Sequence, residues 1–343
     1  MSNRKTTNDE DRERARPNSL EERGREGVGS PWPHRLAWIV AGGVIPLIFW
    51  GGMVTTYKAG MAVPDWPTTK GSWFYPLQKW IWDTGSELFL EHGHRTVGQL
   101  VGLAAIFLLV AVFRSESRKP VRWLAIIILG GLLFQGLLGG YRVLWNELLL
   151  ARIHGCTAPL VFCACTLMAA VTSPVWRDCT AIAKHRAAGR MRWLSAIITV
   201  LIYLEIVFGT LLRHPIGSDW TIWLLVWAWS KVITAGLLCL AICWLLVLAG
   251  RSFRDVPPLR NRAALLAALV LVQVILAGTA WVANYGWPKW FADNVVNWNY
   301  TVTKEGVLQV WITTAHAAVA SLVLAAAFNL TAWSRRLLRE SNA

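Results

Sequence analysis

The chain has 343 residues, of which 55% are hydrophobic and only 16% charged, with a mean hydropathy of +0.41. Soluble domains carry nearer a quarter charged residues, so this balance excludes an ordinary soluble protein and points to the bilayer. The net charge of +14 would suit a polyanion, but the basic residues gather in alternate loops, which excludes nucleic acid as the partner.

Residues 1–35 mix Arg with Asp and Glu and lack an apolar segment, so a disordered cytoplasmic tail is expected there rather than a signal or transit peptide. Apolar runs long enough to cross about 30 Å of hydrocarbon follow near 36–56, 92–113, 121–143, 150–172, 193–213, 221–249, 263–283 and 307–333. The expected fold is therefore all-α and polytopic, with eight transmembrane helices. Arg114, Arg118, Lys119 and Arg122 separate spans two and three; Arg177, Lys184, Arg186, Arg190 and Arg192 separate four and five. Arg251, Arg254, Arg260 and Arg262 separate six and seven, and Arg335, Arg336 and Arg339 follow eight. This is the positive-inside pattern, so both termini are expected in the cytoplasm, with 57–91, 144–149, 214–220 and 284–306 facing outward. The absence of a transit-like start favours a plasma membrane.

Of the 22 Trp, Trp66, Trp73, Trp80, Trp82, Trp145, Trp220, Trp281, Trp287 and Trp290 fit an interfacial belt with no chemistry of their own. The six Cys (156, 163, 165, 179, 239 and 243) fall in spans or inner loops without a metal-type pair and read as packing residues. Asp65 and Asp219 read as loop-shaping residues.

The two halves echo each other. GGMVTTYKAGMAVPDWP after span one is echoed by FGTLLRHPIGSDW after span five, QGLLGGYRV by QVILAGTAWV, and IHGCTAPLV by AHAAVASLV. Two related four-helix bundles are expected, residues 36–172 and 193–333, in the same membrane orientation because the repeat comprises an even number of spans.

Titratable groups inside a span are costly and are functional candidates by default. His34, His185 and His214 lie outside the spans or at their ends. In EHGHRTVG, Glu91 and His94 share one helical face, Arg95 follows, and His92 points elsewhere. His154 and His316 also have small neighbours, leaving room for a large flat ligand. A lone membrane histidine often only hydrogen-bonds a neighbouring helix. Three of them, in spans two, four and eight, suit axial ligation of heme iron better, and no HExxH or carboxylate–histidine cluster suggests zinc.

At these residues the chain resembles the heme A synthases. EHGHRTVG is similar to their Glu-x-x-His-Arg element and AGMAVPDWPTTKG to their first outer loop. QGLLGGYRV, ARIHG and the span-eight histidine also match, over roughly residues 36–333. The resemblance implies oxidation of the C8 methyl of heme O to a formyl group, for cytochrome oxidase assembly. It implies that His94 and His154 hold the substrate heme, that Glu91 is the catalytic acid, and that a heme b cofactor sits between histidines of spans six and eight. Arg95 suits a heme propionate. The chain departs from the pattern in two places. Ser230 and Lys231 replace the span-six His-Arg, leaving His316 without its partner for heme b, and Val63 replaces a loop cysteine of many bacterial members. The implied partners are heme O, the bilayer, heme O synthase, cytochrome oxidase subunits and, in a homo-oligomer, a second copy of the chain. Two other readings remain open: a non-catalytic heme-binding or heme-handling assembly protein, and a transporter.

Overall fold

A computed structural model describes residues 30–72, 76, 79, 87–179, 183–214, 220–296, 302 and 306–339. Its eight long helices are α1 (Trp32–Thr56), α2 (Glu87–Ser115), α3 (Lys119–Trp145), α4 (Leu148–Val171), α5 (Ala188–Arg213), α6 (Trp220–Ser252), α7 (Pro257–Tyr285) and α8 (Val307–Leu337). All eight are long and apolar enough to cross a membrane, so the chain is a multi-pass membrane protein. The expected anchors Trp73, Trp80 and Trp82, the Trp220 side chain, Asp219, and the tail up to residue 29 lie outside the described residues.

Most helices begin a few residues before the apolar runs do. Hydropathy senses only the oily stretch, whereas a helix continues until its backbone finds a stop. Prolines in the first turns of α1, α3 and α7 start helices where their missing N–H costs nothing. Asn146 (φ 50°) ends α3 in the left-handed region, and Gly286 (φ 77°) ends α7 by donating its N–H to the Val282 carbonyl at 2.8 Å. Residues 32–35 thus belong to α1 rather than to the tail. His34 secures that first turn: Trp38 Nε1 donates to its Nε2 at 3.2 Å, which leaves Nδ1–H to donate to the Ala169 carbonyl at 3.0 Å.

The amino-terminal helices form a ring in which α1 packs on α2, α2 on α3, α3 on α4 and α4 on α1. The ring α5–α6–α7–α8 repeats that order, and the halves meet through α1 with α8, α4 with α5, and α4 with α8. Exchanging the halves maps the α1–α8 contact onto α5–α4, as a two-fold relation requires. Two related four-helix bundles are therefore present. In a ring of four, α2 lies diagonally across from α4, and α6 across from α8.

A continuous buried core runs through both bundles, including Phe162, Met168, Met191, Ile198, Leu245, Phe253, Leu259, Leu324 and Leu330. Where lipid is as apolar as leucine, close packing and polar contacts hold helices together. Ser195 meets Ser334, Thr199 Oγ1 lies 3.1 Å from Thr331 Oγ1, and Asn329 donates to Thr166 at 3.0 Å. Side chains such as Trp193, Leu240, Trp145, Trp281 and Trp290 are exposed on the bundle surface. Cys239 and Cys243 also lie exposed on α6, whereas Cys163 and Cys165 are buried packing residues. Between α2 and α3, Arg118 and Arg177 flank Glu116; above all its hydrogen bonds from Arg118 hold that carboxyl below the usual range. The buried residues of α6 (Leu238, Ile242, Leu245, Leu248 and Ala249) all lie in its carboxyl-terminal half, away from Lys231.

Candidate functional site: two histidines across the amino-terminal bundle

The loop after α1 folds back over the bundle. Asp65 shapes it: its carboxylate accepts from Thr68 Oγ1 and from the backbone N–H groups of Lys70 and Gly71, both at 2.9 Å. Burial works against that charge, but the hydrogen bonds outweigh it and bring the carboxyl down to about 2. Arg95 fastens the loop to α2, donating to the carbonyls of Asp65 (2.7 Å), Thr68 (2.9 Å) and Val63 (3.0 Å) and to Glu91 Oε1 (2.6 Å). Glu91, only 4% exposed, accepts from the Val63 N–H on its other oxygen at 2.8 Å. The Glu91–Arg95 pair is thus a latch between helix and loop. Arg95, expected at a propionate, is committed to this latch, because four acceptors already claim its fork of donors. Trp66 is not a free belt residue either: its indole lies on Gly140 of α3, where a side chain would collide with it.

Beneath the loop, His94 on α2 and His154 on α4 lie within electrostatic reach of each other, with the Nε2 edge of His94 turned to Gly51 and Leu47 of α1. Their neighbours make space: a Cβ on Gly51 of α1 would lie 2.8 Å from His94 Nε2, and one on Gly139 of α3 would lie 3.7 Å from His154 Cε1. Gln135 of α3, buried and hydrogen-bonded to Thr157, presents its amide 3.1 Å from His154 Nδ1. An amide can turn either end toward the ring. The orientation that pairs both ends turns its NH2 to the His154 carbonyl (3.3 Å) and to Nδ1, and its oxygen to Thr157 Oγ1 and the Ala158 N–H, so Gln135 fastens α3 to the His154 turn of α4. His92 turns aside to Thr69 Oγ1, at 3.1 Å, and to Thr96. Among the described residues no three His, Cys, Asp or Glu side chains converge as a zinc site would need.

Sequence reading passed over Gln135 and one further residue of the same motif. Arg142, one α-helical turn from the end of α3, is partly buried, and a side chain on Gly60 of the loop would collide with its guanidinium. Its charge reaches Glu91, His94 and His154. Arg213 lies nearby, donating to the Gly52 carbonyl at 3.0 Å and to Thr56 Oγ1, and Arg152 donates to the His214 carbonyl at 2.7 Å. His214, just beyond α5, is pushed down to about 4, first by burial and then by the charges of Arg213, Arg142 and Arg152. This rim of the bundle gathers Arg95, Arg142, Arg152 and Arg213.

The carboxyl-terminal bundle is built differently at the same level. The His316 carbonyl accepts from Gln273 at 3.1 Å, an echo of the Gln135–His154 pair, and His316 Nδ1 is buried without a partner. Across the ring Ser230 offers a hydroxyl instead of an imidazole. One residue on, Lys231 extends toward α5, its Nζ 3.4 Å from where a Cβ on Gly209 would sit. Glu205 of α5 accepts from Thr234 Oγ1 and shares an electrostatic interaction with Lys231. A carboxylate and an ammonium occupy the region facing His316, and these residues do not fit a bis-histidine heme b. The signal for Glu205 was available, an acid inside the apolar run IYLEIVFG, and the intramembrane-charge criterion should have flagged it.

The family model described as cytochrome oxidase assembly protein matches residues 34–217, which includes the whole histidine pair and its loop but stops before α6. The chain is 27% identical to the heme A synthase of Geobacillus kaustophilus over 189 residues, 53% of this chain and 57% of the relative. It is 27% identical to that of Lysinibacillus sphaericus over 190 residues (52% and 58%), and 24% identical to one from Staphylococcus epidermidis over 216 residues (58% and 70%). The match thus spans little more than half the length of the first two relatives. With its matched segment holding Glu91, His94, Arg95 and His154 in one assembled site, the chain belongs to the cytochrome oxidase assembly protein family, the family of the heme A synthases.

Proposed function

We propose that the chain is a heme A synthase-type oxidoreductase that converts the C8 methyl of heme O to a formyl group. The observation that carries this reading is the presentation of two imidazoles, His94 and His154, from diagonally opposed helices flanked by glycine surfaces. Such an arrangement suits a flat macrocycle bound through its iron. Bound there, the heme supplies the redox chemistry, and the protein's residues position it. Gln135 braces the His154 turn of α4 against α3, and the Glu91–Arg95 latch holds the loop after α1 over the site and restricts water. Glu91 is the proposed catalytic acid, a buried carboxyl on α2 that joins the site to the loop through Val63. The proposed setting is a bacterial plasma membrane with cytoplasmic termini. Heme O synthase and cytochrome oxidase subunits are the expected partners, and a homo-oligomer remains part of the proposal.

A second reading, a heme-handling assembly protein without synthase activity, is favoured by Ser230, Lys231 and Glu205 in place of a heme b site. Extracting the hemes of protein purified from cells that make heme O separates the two. Heme A in the wild type, absent from His94→Ala, supports the synthase; heme O or b with no heme A supports the handling role. The second bundle yields its own prediction. The wild type is expected to retain no heme ligated by His316, and Ser230→His to gain a second low-spin heme per chain, scored by pyridine hemochrome against protein concentration. Two hemes in the wild type, one of them lost in His316→Ala, would contradict it.

A further inference from the structure

We propose that Arg142 is the carboxylate anchor of the amino-terminal site, taking a propionate of the heme held between His94 and His154. This rests on the heme reading above and names the group that recognises the acidic edge of the ligand.

The Arg142 guanidinium is unspent. Arg142 carries five N–H donors, yet among the described residues it donates no hydrogen bond. Its neighbours are all engaged: Arg95 with four acceptors, Arg213 with Gly52 and Thr56, Arg152 with His214. Enclosing a cation without acceptors is costly, so the geometry awaits an anion. Among the described residues the carboxylate whose field acts on Arg142 is Glu91, and both Glu91 oxygens are already taken by Val63 and Arg95. Arg95 and Arg142 therefore share one described carboxylate.

The ring gives the direction. A macrocycle held from α2 and α4 would have its edges toward the other two helices. On the α1 side that edge would lie toward Gly51, and on the α3 side toward Gly139 and, near the end of that helix, Arg142. Propionates extend from a porphyrin edge, and a planar guanidinium fork binds a carboxylate through two parallel hydrogen bonds.

The internal repeat points the same way. Gln135 and Gln273 occupy equivalent places beside His154 and His316. Seven residues beyond each, the amino-terminal half has Arg142 and the carboxyl-terminal half has Ala280. The arginine is thus present in the half that has the histidine pair and absent from the half that has His316 alone.

The test uses the full chain, purified without heme in detergent, titrated with ferric protoporphyrin IX and with its dimethyl ester, whose propionates are masked. Arg142→Gln is expected to weaken binding of the free acid by about 10- to 100-fold, the value of a charge-assisted pair, with the bis-imidazole spectrum retained. It should leave the ester's affinity unchanged. Arg142→Lys, which keeps the charge but loses the fork, should fall between, and it serves as the test if the glutamine variant does not fold. Equal loss for acid and ester, or no loss for either, overturns the assignment while leaving the histidine site standing. A wild type that binds neither porphyrin, or a spectrum that survives in His94→Ala and His154→Ala, overturns the heme reading and the anchor with it.

Discussion

His94→Ala and His154→Ala are each expected to abolish the low-spin bis-imidazole spectrum of the protein loaded with ferric protoporphyrin IX. The affinity loss should exceed the roughly 10- to 100-fold that removal of an outer-shell partner costs. Two controls make this specific. His92 turns to Thr69 and Thr96, and His34 to the Ala169 carbonyl, so alanine at either should leave the spectrum intact. Absorption titration reads all four variants on one scale. If His92→Ala matched the effect of His94→Ala, iron ligation would have to be reassigned on α2.

The second large effect is on the loop. Arg95→Ala removes the counter-charge from a carboxylate that is 4% exposed and releases the three loop carbonyls that Arg95 binds. Removing one partner of a buried pair costs about 3–5 kcal/mol because the other charge stays uncompensated. The variant should therefore show a lower Tm and rapid proteolytic cleavage within residues 57–72, whether or not heme is bound. Glu91→Gln should cost less, since the amide oxygen still accepts from Val63 and Arg95 keeps its carbonyl partners. A drop in heme affinity in Arg95→Ala with Tm unchanged would return Arg95 to the propionate role its sequence position suggested.

Arg95 and Arg142 show where a sequence stops being legible. Both are arginines near the ends of spans, and the proximity of Arg95 to His94 made it the obvious propionate ligand. Neighbours on a helix point in different directions, however, and the direction of Arg95 is set by a loop some thirty residues earlier in the chain. Its acceptors are backbone carbonyls, which no residue pattern advertises. Arg142 lies 48 positions from His94 and 12 from His154, and only the ring of four helices brings it between them. Gln135 was hidden for the same reason, and Glu205 because one acid in an otherwise oily run hardly disturbs a hydropathy average.

Much was decided by the sequence alone. A bilayer leaves few choices: about twenty apolar residues must form a helix to satisfy their backbone, and basic residues mark the loops between. Eight spans, two repeated halves and three candidate histidines follow from local composition. Only the tertiary structure decided which titratable groups meet. It turned Arg95 to the loop, placed Arg142 beside the histidine pair and set Lys231 and Glu205 opposite His316. The physical reason is that membrane-helix formation is governed by residues close in sequence, whereas a site's chemistry depends on where the side chains of packed helices converge.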